Sequence, residues 1–260
     1  MQIELRNFSY SYKEGFSLDS VSLSVGEGES IAIMGANGSG KTTLLKALAG
    51  IIEPSSGSIE ISKGSPISID EYYRKLGYLT QSVEKQLFSS SLLKEIAYPL
   101  KRRGYKKRDI EQIARKVLDD TGLDYIPLER NPFTLSGGER RRAAIALSLS
   151  YEPEVLLFDE PTSGMDWNAR KSFCYLLDNL RPKSIVIVTH DVDIALKMDR
   201  LVVMDGGRII YDGPSSALLD KTECSSLGIE FSDTAFVLSK LEEKGLGEYS
   251  KLLKEELYGK

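Results

Sequence analysis

The chain has 260 residues, is 41% hydrophobic and 28% charged, and carries a formal net charge of -4. That length suits one large α/β domain with a short appendage, and the acidic balance argues against a broad surface for nucleic acid or anionic lipid. No apolar run reaches the about 18 residues a spanning helix needs, and the start MQIELRNFSY lacks the basic and apolar regions of a secretory signal, so a chain that does not span a bilayer is expected.

In chain order, Ile3, Leu5, Phe8, Tyr10 and Tyr12 are apolar or aromatic with polar residues between most of them, and Val21, Leu23 and Val25 alternate after a turn around Gly15. This period of two predicts an antiparallel strand pair, with Phe8, Tyr10 and Tyr12 on one face. Ser30 to Met34 reads as a short buried strand ending in glycine. Thr42 to Ala49 has helical spacing, and Gly50 stops it. Further strands are expected at Gly57 to Ile61 and Leu76 to Thr80. Residues 88–130 carry helical periodicity and no strand signal, so they read as a helical insertion.

Val155 to Phe158 and Ser184 to Thr189 are nearly continuous apolar runs, as the buried centre of a parallel sheet requires. Leu201 to Met204 and Arg208 to Tyr211 flank Gly206 and Gly207, which predicts a hairpin. The tail from Leu218 to Lys260 is helical in patches. The order implies an α/β fold with a parallel core. Cys174 and Cys224 are far apart and His190 is the single histidine, so no Cys or His metal site is expected and a reduced, cytosolic setting is.

Three segments carry chemistry. Gly35, Asn37, Gly38, Ser39, Gly40, Lys41 and Thr42 fit the phosphate-binding P-loop pattern between a strand and a helix. Its glycines turn successive N–H groups toward phosphate, and the helix start adds partial positive charge. Lys41 is placed to neutralise the β- and γ-phosphates, Thr42 to offer its hydroxyl to Mg²⁺, and Thr43 to give a further phosphate donor. Asp159 and Glu160 end a buried strand, where adjacent carboxylates need a cation. Asp159 suits Mg²⁺ and Glu160 suits a general base acting on water. Leu135 to Glu139 reads LSGGE before a helical run, so Ser136, Gly137 and Gly138 open a second helix N-terminus with bare N–H groups.

With that pentad between the P-loop and the acidic strand end, residues 2–215 resemble the ABC ATPase family. The resemblance implies a RecA-like parallel sheet core, an antiparallel β subdomain and a helical subdomain over about residues 88–150 within a domain 1–215, followed by a C-terminal helical appendage, 216–260. It implies that Ser136, Gly137 and Gly138 reach the nucleotide held by an opposite protomer. It makes Gln81 a Q-loop residue near Mg²⁺ and water, Asp166 the acidic end of the D-loop, His190 a switch residue toward the γ-phosphate, and Tyr12 the ring that stacks on adenine. Met165 departs from the commoner leucine of that D-loop at nearly constant volume.

The segment Gln81 to Phe88 is similar to that of energy-coupling factor (ECF) ATPases, with Gln86 and Phe88 at matching spacing but Ser82 and Val83 in place of Asn-Pro. The resemblance then implies an ATP-hydrolysing subunit of an importer of a vitamin or metal ion, peripheral on the cytoplasmic side of the membrane. Its implied partners are a second ATPase protomer, a transmembrane coupling subunit and a substrate-binding membrane subunit, with no nucleic acid. In ECF ATPases, helices such as those of the appendage pack on the second protomer. An exporter ATPase is the nearer alternative. A non-transport ABC ATPase is disfavoured because no heptad stretch lies between Thr43 and Ser136. The basic run Lys101 to Arg108 reads first as a solvated face, with anionic headgroups as the alternative.

Overall fold

The computed structural model describes residues 1–12, 15, 17–180 and 183–258. In chain order its elements are β1 (Gln2–Ser11), β2 (Ser17–Val25), β3 (Ser30–Gly35), α1 (Lys41–Leu48), β4 (Ser56–Ser62), α2 (Ile69–Tyr73), β5 (Leu76–Leu79), α3 (Leu92–Arg102), α4 (Lys107–Asp120) and α5 (Gly137–Leu149). There follow β6 (Val155–Asp159), α6 (Trp167–Asn179), β7 (Ser184–Val188), α7 (Val192–Lys197), β8 (Arg200–Asp205), β9 (Arg208–Pro214), α8 (Lys221–Ser226), α9 (Asp233–Glu243) and α10 (Gly247–Tyr258).

The strands form two sheets. One is antiparallel, in the order β2-β1-β4. The other has the order β5-β6-β7-β3-β8-β9, parallel throughout except for the β8–β9 hairpin. The continuous apolar runs have a direct physical reason. Val155, Leu157, Val186 and Val188 point into a core shared with the antiparallel sheet and α1, where Ile3, Leu5, Leu44 and Leu48 are buried. Their alternate neighbours Leu156, Phe158, Ile185 and Ile187 point into the opposite core, against residues of α3 to α7. A strand covered on both faces has no polar side to display.

The expected common face of Phe8, Tyr10 and Tyr12 is not kept. β1 shifts register between Leu5 and Phe8 and again between Phe8 and Tyr10, with Asn7 at φ +46°. Each irregularity changes which side chain faces the core. Phe8 is fully buried, Tyr10 partly so, and Tyr12 stands exposed beyond the strand end.

The stretch after β4 also holds the short helix α2, capped by Ser68, which the sequence reading did not separate. Its buried Tyr72 donates to the Leu48 carbonyl at 2.9 Å and closes the end of α1. In the insertion, α3 and α4 pack together and against α5. The tail folds as helices: α9 lies against α7 and α10 against α6 of the same chain, leaving Phe236, Tyr249 and Leu252 exposed. Residues 259 and 260 of that tail lie outside the described residues. Both cysteines are buried and unpaired, and among the described residues no helix is long and apolar enough to cross a membrane.

Candidate nucleotide-binding site

The parallel strands end together, and the loops that follow β3, β5, β6 and β7 meet there. Gly35 closes β3 at φ +137°, and a Cβ on it would come within 2.2 Å of the Met204 carbonyl oxygen, so glycine alone lets the loop turn beside β8. Gly40, at φ +109°, precedes α1 without a side-chain cap, so the first-turn N–H groups of Lys41, Thr42 and Thr43 have no intrahelical acceptor. Lys41 folds back over this loop and donates from Nζ to the carbonyls of Gly35 and Ala36, each at 2.8 Å. Burial lowers its pKa, against the pull of Glu160 and Asp159.

Asp159 is 1% exposed at the end of β6. Its Oδ2 accepts from the Thr42 hydroxyl at 2.8 Å, and its Oδ1 has no hydrogen-bond partner. Glu160 follows in the left-handed region at φ +50°, where a residue with a long side chain is strained. Its N–H extends the β6–β7 ladder to Val188 at 2.9 Å, and its Oε1 is buried without a hydrogen bond, 3.6 Å from His190 Nε2. Desolvation raises the pKa of both carboxyls; for Asp159 the bond from Thr42 opposes it, and for Glu160 the His190 backbone amide does. Burial, and then the charge of Lys41, lower that of His190, so its ring is neutral at pH 7.

These groups line one cleft of about 350 Å³, with Asn37, Gly38, Gly40, Lys41, Thr42, Thr43, Gln81, Asp159, Glu160 and His190 on its walls. A magnesium nucleotide fits them. The orphaned oxygens of Asp159 and Glu160 call for a cation, while Lys41 and the bare amides of α1 call for an anion. Ser39 is buried behind the loop with an unpaired hydroxyl.

Other expected site residues lie elsewhere. Ser136 caps α5 in a capping box with Glu139: its Oγ accepts from the Glu139 N–H at 3.3 Å, while Glu139 Oε2 accepts from the Ser136 N–H at 2.8 Å. Neither Ser136 nor Gly137 and Gly138 borders the Lys41 cleft; a Cβ on Gly138 would instead meet the Gly164 carbonyl at 3.2 Å. Asp166 caps α6, accepting from the Ala169 N–H at 2.8 Å. Tyr12 flanks α1, with Lys46 Nζ 3.5 Å from its hydroxyl and the Tyr10 ring packed edge-on at 4.8 Å.

Gln86 has a local role that spacing did not reveal: its amide donates to the Tyr78 carbonyl at 2.9 Å and accepts from the Thr80 N–H at 3.2 Å, bracing the turn that carries Gln81. Phe88 is 62% exposed and packs edge-on against Tyr98. Sequence reasoning missed the buried Glu95, whose Oε2 accepts from the N–H groups of Phe88 and Ser89, and the Arg170–Asp191 ion pair beside His190. It also missed Arg141, which donates to the carbonyls of Glu160 and Gln81.

The family model described as ABC transporter matches residues 18–163. An energy-coupling factor transporter ATP-binding protein of Acetivibrio thermocellus is 35% identical, over 94% of this chain and 91% of its own length. Among solved structures, cbiO1 of Clostridium perfringens, part of the ABC transporter complex cbiONQ, superposes with TM-score 0.73 at 29% identity, covering 97% of this chain and 98% of its own. A dimeric ATP-binding cassette bound to ADP and Pi in a post-hydrolysis state superposes with TM-score 0.74 at 27% identity, over 82% of this chain and 98% of its own. The sheet order, the phosphate cleft and these likenesses agree: the chain belongs to the ABC transporter family, as an ATP-hydrolysing subunit of the energy-coupling factor type.

Proposed function

We propose that this ATPase drives uptake of a vitamin or metal ion by closing and opening a two-protomer ATP sandwich beneath membrane subunits on the cytoplasmic side. The observation that carries the reading is the division of the machinery. One cleft gathers Lys41, Thr42, Gln81, Asp159, Glu160 and His190, while the capped N-terminus of α5 lies outside it. A second protomer, identical or related, supplies what each cleft lacks. The chain divides into an ABC domain, 1–215, with a helical subdomain near 88–150, and an appendage from 216 onward.

In this reading Lys41 and the amides at the start of α1 hold the β- and γ-phosphates, and Tyr12 stacks on adenine. Thr42, Asp159 and Gln81 would hold Mg²⁺, which would offset charge on the phosphates. Glu160, held in a water-poor corner with its pKa raised by burial, takes a proton from the attacking water in line with the leaving phosphate. His190 lies 3.6 Å from Glu160 and donates toward the γ-phosphate. Ser136, Gly137 and Gly138 present the α5 N-terminus to the partner's nucleotide, and Asp166 anchors the turn beside them.

The membrane partners are a transmembrane coupling subunit and a substrate-binding membrane subunit, approached through the Gln81 to Phe88 segment. The exposed Phe88–Tyr98 pair supports that approach. The test is purification of tagged Glu160→Gln protein from native membranes in mild detergent with ATP and Mg²⁺. Polytopic membrane chains in the mass spectrum uphold the reading; recovery of soluble partners alone overturns it.

A further inference from the structure

Arg141 is 8% exposed, one turn into α5, and its guanidinium is engaged by the backbone of two segments distant in sequence. Nη1 donates to the Glu160 carbonyl at 2.7 Å and Nη2 to the Gln81 carbonyl at 2.9 Å. Taking a guanidinium out of water is costly, and its usual compensation is a carboxylate in direct contact. Among the described residues no carboxylate pairs directly with Arg141; Glu84, Glu160 and Asp159 act on it only through longer-range attraction, and burial lowers its pKa. A buried cation of this kind is a poor device for stability alone. It does suit a planar fork that must grip two carbonyls at fixed spacing.

The two carbonyls belong to the residues whose placement the chemistry depends on most. Glu160 sits at φ +50°, a conformation that persists only when its surroundings over-determine it. Its N–H is fixed by Val188 at 2.9 Å, and Arg141 fixes the other end of the same residue. Gln81 lies just past β5 outside any regular element, and Arg141 holds its carbonyl as well. Arg140, the neighbour on α5, reaches the same turn through Glu84 at 3.6 Å and holds the carbonyl of Leu135 at 3.1 Å.

We propose that Arg141 is a positioning residue that locks Glu160 and Gln81 into reactive geometry by clamping their backbone carbonyls from α5. The inference rests on Glu160 being the general base. Because Ser136 and Arg141 share one helix, the same element that presents its N-terminus outward also sets the reactive residues of its own chain's cleft.

The test compares Arg141→Met and Arg141→Lys in the full chain by steady-state ATP hydrolysis, nucleotide affinity and thermal unfolding. The Met variant lacks both donors and should lose about 10–100-fold in kcat, the loss typical of a displaced catalytic group. Its ATP affinity should stay within about threefold, because no phosphate contact is removed. The Lys variant reaches one carbonyl at a time and should fall between.

Coupling to Glu160 adds a readout that packing would not move. In single turnover, Arg141→Met added to Glu160→Gln should cost less than about twofold, since one acts through the other.

Full kcat in Arg141→Met overturns the proposal. So does an undiminished loss in the Glu160→Gln background, or a parallel fall of affinity, stability and rate in Arg141→Lys. If Arg141→Met fails to fold, the kcat-against-affinity split in Arg141→Lys decides. If wild-type hydrolysis does not depend on Glu160, the general-base reading fails first and the proposal falls with it.

Discussion

The Thr42 hydroxyl donates to Asp159 Oδ2 across 2.8 Å, joining the first turn of α1 to the end of β6. The pair closes a buried seam in which Asp159 Oδ1 has no partner. Thr42→Ala removes one side of the seam and strands the carboxylate. A hydrogen bond to a charged group contributes about 1.5–3 kcal/mol, so the Mg²⁺ concentration for half-maximal hydrolysis should rise about 10–100-fold. A magnesium titration at fixed ATP checks it, and an unchanged midpoint would remove Thr42 from the metal set.

Loss of the proposed general base should separate binding from turnover. Glu160→Gln keeps the volume and the backbone anchors to Val188 and Arg141 but cannot accept the proton. Turnover should fall about 10²–10⁴-fold while ATP affinity persists. An ATP-dependent dimer on size exclusion should accompany the loss. Retained hydrolysis would reassign the base.

The two buried carboxyls should make the empty cleft sensitive to pH. Burial raises the folded pKa of Asp159 above its ordinary 3.8 and that of Glu160 above 4.5. Each therefore binds its proton more tightly folded than unfolded. Their contribution to stability is full below those ordinary values and is lost as pH rises through the folded pKa. Asp159→Asn should thus stabilise the nucleotide-free chain at pH 7 by about 0.5–2 kcal/mol, the size common when a functional site is relieved. That advantage should shrink on acidification. Thermal unfolding at several pH values reads it; a variant less stable than wild type at pH 7 contradicts the sign.

Gln86 is a brace as well as a matching residue in the ECF pattern. Gln86→Leu removes its bonds to Tyr78 and Thr80 at nearly constant volume. At about 0.5–1.5 kcal/mol for each net hydrogen bond, urea unfolding should show a loss of about 1–3 kcal/mol. No loss would mean that the turn carrying Gln81 holds itself.

The proposed composite sites, if formed by two copies of this chain, predict rescue by mixing. Lys41→Ala chains and Ser136→Phe chains should each be inactive alone. Mixed in equal amounts, half the dimers pair unlike chains and each of those holds one complete site, so roughly a quarter of wild-type sites should return. Persistent inactivity of the mixture would argue that each chain completes its own site.

Much of this architecture was legible because its signals are local. The glycines of the loop from Gly35 to Gly40, the doubly buried runs at Val155 and Ser184 and the hairpin at Gly206 each state their geometry within a few residues. The Phe8–Tyr12 face was not legible, because the irregularities in β1 arise from pairing with β2 and β4 at once. Arg141 was hidden for a different reason. α5 is buried on several sides, so Ala143, Ala144, Ile145 and Ala146 give no single apolar stripe against which a buried arginine stands out. Glu95 likewise acts on N–H groups of the preceding loop, which no side-chain pattern announces.

The outward-facing cap of α5 has a cost-saving consequence for a cell that makes this subunit. A chain fresh from the ribosome carries a P-loop, an acidic strand end and His190, yet its Ser136 end does not border that cleft. On the proposed reading that a second protomer completes each site, orphan copies idle, and where two copies of this chain pair, hydrolysis by free chains rises with the square of their concentration. Overproduction of this subunit relative to its partners would drain little ATP until the copies crowd enough to pair.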